Sequence, residues 1–213
     1  PNFALAMCGI ALLRLRKPLD YYLDEHGTAL YGLNKMVLMM EKQHNRGQDG
    51  AGLAGVKLDM APGQRYISRY RSVEAKPMQD IFHRIQTRIN TIVDGKPERL
   101  KDVQWVKENL AFACEVYLGH LRYGTYGGNS IEACHPFLRQ SNWMSRNLIV
   151  AGNFNMTNVK ELVDELISLG QHPKERADTV TVMEKIGHFL DKENERLHKE
   201  AKEVFGLTKP ERS

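Results

Sequence analysis

A chain of 213 residues that is 42% hydrophobic and 26% charged, with a net charge of +4, has the make-up of a globular protein and excludes a disordered or fibrous one. Its Lys and Arg are scattered, not gathered on the basic face that a nucleic-acid binder needs, and no apolar run approaches the roughly 20 residues that span a bilayer, so neither nucleic acid nor membrane is an expected partner. The three cysteines, Cys8, Cys114 and Cys134, are odd in number and widely spaced; they read as reduced thiols of a cytoplasmic protein, and no Cys/His grouping has the spacing of a zinc site.

In chain order, residues 8–15 (CGIALLRL) are apolar and end near Pro18, which reads as a buried strand. Leu30, Leu33, Val37 and Met40 recur at three- and four-residue steps and predict an amphipathic helix stopping near Asn45-Arg46-Gly47. Residues 51–58 read as a second strand. A turn at Ala61-Pro62-Gly63 joins it to a hairpin partner over 65–72. Ile81, Ile85 and Ile89 share one helix face, and Pro97 suits the first turn of another short helix. Residues 112–123 return to strand character, 124–130 form a glycine-rich loop, and 147–154 are one more strand. Asn158 is placed to cap a helix, with Glu161 as its capping-box partner. The apolar face of that helix is Val159, Leu162, Val163, Leu166 and Ile167, and Gly170 ends it. A last helix runs from about Thr179 through Met183, Ile186 and Leu190. The charged stretch beyond it sets 191–213 apart, as a solvated terminal helix or a linker, from a body spanning 8–190. Strands cluster and helices cluster, which predicts an α+β fold.

Three segments carry groups with chemistry. Cys8-Gly9-Ile10 opens a strand, where a lone cysteine is ordinarily a small buried hydrophobe. Arg122, at a strand end before a Gly/Thr loop, is either a fork for a carboxylate or a surface arginine beside a turn. Arg46-Gly47-Gln48-Asp49-Gly50-Ala51-Gly52 has three glycines that let backbone approach closely, or simply turn from helix to strand. Each signal alone is weak.

Together they are specific. The set resembles the class II (N-terminal-nucleophile) glutamine amidotransferases, and most of all the glutaminase domain of the amidophosphoribosyltransferases. LGHLRYGTYGGNSIEACHPF, residues 118–137, resembles that family's arginine loop almost throughout, and HNRGQDGAG, residues 44–52, resembles its glycine-rich segment. Asn153 with Asn155-Met156-Thr157-Asn158 is similar to its Asn-Gly-x-x-x-Asn turn, and Asp178 stands where the family has an acidic residue. The four motifs run in family order.

The resemblance implies a four-layer αββα sandwich of two mainly antiparallel sheets. It implies hydrolysis of the glutamine side-chain amide, with Cys8 as nucleophile and its own α-amino group as base. A thiol near pKa 8.5 beside an amine near 7.7–8.0 suits that chemistry at neutral pH. By resemblance, Arg122 holds the substrate α-carboxylate with Thr125 close by, Asp178 pairs with its α-ammonium, and Arg46, Gly47 and Gly9 line the site. The side chain of Asn153 and the backbone N–H of Phe154 form the oxyanion hole. Two departures stand out. Phe154 replaces the family's glycine, and seven residues, Pro1 to Met7, precede Cys8. The prefix is a propeptide, a vector-derived extension or the mark of a relative without activity. No cofactor is expected in this domain, and three scattered cysteines cannot ligate an iron–sulfur cluster alone. The implied partners are glutamine, a synthase domain that uses the ammonia (for phosphoribosylamine in purine synthesis, or for another acceptor) and further copies of the chain. A non-catalytic glutamine-binding or regulatory module is the alternative.

Overall fold

A computed structural model describes residues 7–124, 130–153, 156–171 and 178–206. The chain divides into two compact units: one holds the described residues up to Pro136 together with Ala151–Asn153, the other Phe137–Val150 and the described residues from 156 onward.

The first unit is built on a four-stranded sheet. β1 (Gly9–Arg14), β2 (Gly50–Val56), β3 (Ile67–Ser72) and β4 (Val116–Arg122) lie in the order β1-β4-β2-β3, and every pairing is antiparallel. Side chains alternate across a strand, so one face carries Ala11, Ala51, Leu53, Tyr117 and Leu121. These join the core with α2 (Tyr31–Lys42) and α3 (Pro77–Val93). The predicted isoleucine face of α3 is fully internal. On α2 the buried row is Leu33, Met36 and Met40, turned by one position from the predicted row that included Val37. The hairpin of β2 and β3 forms in the expected register.

Three local expectations need correction here. The helix expected to reach Asn45-Arg46-Gly47 ends at Lys42 and gives way to a 3-10 turn over His44–Arg46. The piece at Pro97 is also a 3-10 turn, Pro97–Lys101. The α-helix that follows, α4 (Val103–Asn109), is started by Asp102, whose carboxylate accepts from Trp105 N at 3.0 Å. α1 (Leu19–His26) was unforeseen, because eight residues are too few to display a period.

The opposite face of the sheet carries Ile10 and Leu12, 40% and 67% exposed, beside His120 and Arg122, which are buried. The segment Cys134-His135-Pro136 is laid against this face. Arg71 donates to the Cys134 carbonyl at 3.0 Å and Arg69 to the Pro136 carbonyl at 3.3 Å.

In the second unit, β5 (Phe137–Arg139) and β6 (Leu148–Val150) pair antiparallel, and α5 (Val159–Ser168) and α6 (Asp178–Phe205) complete it. β5 was unforeseen, since three residues show no alternation. Phe137, Val180 and Met183 form its small core with Leu148 and Val150. Asn158 takes the N-cap position of α5, but its side chain makes no capping hydrogen bond, so the expected capping box is not formed. α6 runs unbroken for 28 residues, so the charged stretch beyond Leu190, read as a terminal helix or a linker, is helical as far as Phe205. Asp191 pairs with Arg139 at 2.6 Å, and Arg196 pairs with Glu193 and Glu200 one helical turn either way. With six α-helices and antiparallel sheets among the described residues, the fold is α+β.

Candidate functional site

The register of β4 against its two neighbours places the chemistry. Gly9 pairs with Leu121 and Gly50 pairs with Arg122. One residue before Gly9, the antiparallel register brings Cys8 level with Arg122, and alternation sends both away from the core face. The electrostatics agree, since the charges of Arg122 and Cys8 both reach the Cys134 thiol, whose pKa is raised chiefly by burial. Cys8 is half-buried; Arg122 is 6% exposed.

The glycine-rich segment is explained by close approach. A methyl at Gly47 would lie 2.6 Å from the carbonyl carbon of Arg122, so only glycine lets this loop rest on the end of β4. Asp49 then clamps that end: its N–H donates to the Arg122 carbonyl at 3.1 Å, and its carboxylate accepts from Gly124 N at 2.8 Å. Gly50 makes room for the Cys134 sulfur and Gly52 for the His135 carbonyl. Gln43 covers the first residues of β1, donating to the Ile10 carbonyl at 3.2 Å and pressing on Gly9.

Two histidines that the sequence reading passed over sit at the centre of this arrangement. His135 Nδ1 lies 3.0 Å from His120 Nε2, with the rings edge to face. Burial, the largest cause for both, pushes their pKa values down, to about 3 for His120 and about 4 for His135, so the pair is neutral at pH 7. The Gly152 backbone is close enough to both rings to favour their protonated forms. It does not satisfy His120 Nδ1, which is buried with no hydrogen-bond partner among the described residues. His120 was legible in principle: period-2 alternation along the strand puts it on the face of Arg122.

Of the predicted site residues, the first unit brings together Cys8, Gly9, Gly47 and Arg122. Arg46 is exposed on the 3-10 turn ahead of Gly47. Asn153 belongs to the same unit, exposed, directly after the buried Gly152. Asp178 belongs to the second unit as the first residue of α6, where its carboxylate accepts from Met156 N at 2.7 Å. Thr125 and Phe154 lie outside the described residues. Among the described residues no helix is long and apolar enough to cross a membrane, and no three His, Cys, Asp or Glu are grouped to hold a metal.

No family model matches the chain, and no curated protein matches it. Among solved structures it is similar to the glutamine phosphoribosylpyrophosphate (PRPP) amidotransferase from B. subtilis, complexed with ADP and GMP, at 20% identity and a TM-score of 0.44. The likeness covers 82% of this chain and 28% of that one, so the chain spans little more than a quarter of that protein. By itself this assigns neither fold nor activity.

Proposed function

We propose that the chain is the glutaminase domain of a class II glutamine amidotransferase. The observation that carries the reading is the register that sets Cys8 level with Arg122 at one end of the sheet. A nucleophile and a guanidinium level with each other at one end of the sheet can hold the two ends of one amino acid. Arg122 takes the α-carboxylate, and the motif resemblance assigns the further substrate-binding roles to Thr125, Arg46, Gly47 and Asp178. The side-chain amide is then directed at sulfur.

The Cys8 α-amine accepts the thiol proton and sulfur attacks the amide carbon. Asn153 and the N–H of Phe154 donate to the oxyanion. The C–N bond breaks as the α-ammonium returns its proton to nitrogen, so ammonia leaves and a γ-glutamyl thioester remains. Water cleaves the thioester to glutamate and free thiol. In the sequence as written Met7 acylates the Cys8 nitrogen, and an amide nitrogen is no base, so the active form begins at Cys8. The ammonia serves a synthase domain, and phosphoribosylamine formation in purine synthesis is the acceptor reaction that the motifs favour. The protein is a cytoplasmic homo-oligomer without a cofactor in this domain. Its full architecture is the αββα sandwich, and the exposed Ile10 and Leu12 support a second layer over that face of the sheet.

The test is ammonia release from glutamine by a chain beginning at Cys8. Turnover that disappears in Cys8→Ala is the expected result. Glutamine bound without turnover in the correctly started chain replaces this reading with the sensing module, which the Phe154 substitution in the oxyanion turn favours.

A further inference from the structure

Resting on the glutaminase reading, we infer that Gln43 is a positioning residue for the nucleophile, tying the first residues of β1 to the end of α2 and so holding Cys8 level with Arg122.

Cys8 stands one residue outside the ladder, because the pairing of β1 with β4 begins at Gly9, opposite Leu121. β1 is also an edge strand of its sheet, flanked by β4 on one side only. A chain that begins at Cys8 therefore carries its nucleophile at the terminus of an edge strand. Chain ends are poorly ordered unless something ties them down. The reaction does not tolerate that freedom, since a misplacement of about 1 Å can cost about 10²-fold in rate.

Gln43 supplies the tie. Its side-chain Nε2 donates to the Ile10 carbonyl at 3.2 Å. Its Oε1 lies 3.0 Å, and its β-carbon 3.3 Å, from the point where Gly9 would carry a β-carbon. A side chain at residue 9 would push Gln43 off the strand. The glycine next to the nucleophile and the glutamine over it thus form one fitted contact.

The other end of the tie is anchored on β4. The Gln43 N–H donates to the Met40 carbonyl at 3.0 Å, and the Gln43 carbonyl accepts from Arg46 N at 2.8 Å. Its backbone is therefore held from both sides, by the last turn of α2 and by the 3-10 turn that follows. Met40 is buried against β4, its sulfur 2.7 Å from where Gly119 would carry a β-carbon. Beyond the 3-10 turn, Gly47 rests on the backbone of Arg122. The segment bearing Gln43 is seated at both ends on the strand that carries Arg122, and from there its side chain reaches the strand that follows Cys8. It spans the separation the reaction must fix, between the guanidinium that grips the α-carboxylate and the sulfur that attacks the amide.

The amine and the thiol of Cys8 belong to one residue, so their contact does not depend on Gln43. What Gln43 sets is where that residue stands relative to bound glutamine. It acts on turnover without acting on glutamine affinity or on the reactivity of the thiol itself.

The experiment compares Gln43→Met, Gln43→Glu and Gln43→His in a chain beginning at Cys8, measuring kcat and KM for glutamine and the rate of Cys8 alkylation by iodoacetamide. Met keeps the length of the side chain without the donor. Glu keeps its shape but turns a carboxylate toward the Ile10 carbonyl, and His carries a ring nitrogen at the Nε2 position of Gln43. The expected result is a kcat lowered by roughly 10–10²-fold in Gln43→Met and Gln43→Glu, with KM and alkylation unchanged and most of the kcat restored in Gln43→His. Parental kcat in Gln43→Met overturns the inference. So does a rise in KM matching the fall in kcat, alkylation slowed as much as turnover, or a Gln43→His as impaired as Gln43→Met. If Gln43→Met does not fold, the other two variants decide: a low kcat in Gln43→Glu with near-parental kcat in Gln43→His upholds the tie, and equal kcat in the two overturns it. No ammonia from the unaltered chain is a different failure, that of the glutaminase reading, and the inference falls with it.

Discussion

The carbonyl oxygen of His135 occupies the place where Gly52 would carry a β-carbon: a methyl there would fall 1.8 Å from it. β2 therefore meets the segment bearing His135 backbone to backbone, and that contact brings His135 to His120.

Gly52→Ala must push the 134–136 segment off the sheet or bend β2. Because the obstacle is backbone and not the end of a flexible side chain, the loss should reach or exceed the about 1–3 kcal/mol typical of overpacking. Chemical denaturation of the variant measures it. Parental stability would show that the segment does not lie where it is described.

Arg122→Lys keeps the charge and discards the fork. If Arg122 grips the α-carboxylate of glutamine, KM should rise by roughly 10–10²-fold while kcat holds, because ground state and transition state use that grip equally. An unchanged KM would remove Arg122 from substrate binding.

The histidine pair makes stability depend on pH. The folded pKa values near 3 and 4 lie below the ordinary 6.5. Below about pH 6.5 the unfolded chain therefore takes up protons that the folded chain refuses, and stability falls as pH drops through that window. The loss should be about 2 kcal/mol per histidine between pH 7 and pH 5. Urea midpoints at the two pH values should show it, and His120→Gln should flatten the dependence. Equal midpoints in the parent would mean that the pair is not buried as neutral imidazoles.

Tyr117 is fully buried, donating its hydroxyl to the Phe112 carbonyl at 2.7 Å and accepting from Cys114 N at 3.1 Å. Tyr117→Phe leaves both backbone groups in the core without a partner, which should cost about 1–3 kcal/mol. Circular dichroism during denaturation gives the value; a neutral substitution would show that water replaces the hydroxyl.

Much of the fold was legible from local chemistry. The isoleucines of α3 at four-residue steps, the Pro-Gly turn joining β2 to β3 and the apolar opening of β1 each record a period or a turn preference within one stretch of chain. The candidate residues Cys8, Arg122 and Gly47 were visible only as members of motifs, since nothing local separates a reactive cysteine from a buried one. Elements too short for a period, α1 and β5, left no signal.

Sequence alone determined the α+β character, the core face of α3 and the motif set that points to glutamine. Tertiary structure alone decided that β4 lies between β1 and β2, which sets Cys8 level with Arg122 across more than a hundred residues of chain. It alone decided that the three glycines of 47–52 are sites of backbone contact, that α6 continues past Leu190, and that His120 meets His135. The physical reason is common to all of these. Periodicity and turn chemistry act between residues a few positions apart, whereas strand order and ring-to-ring contact depend on which surfaces must be buried against each other once the whole chain has folded.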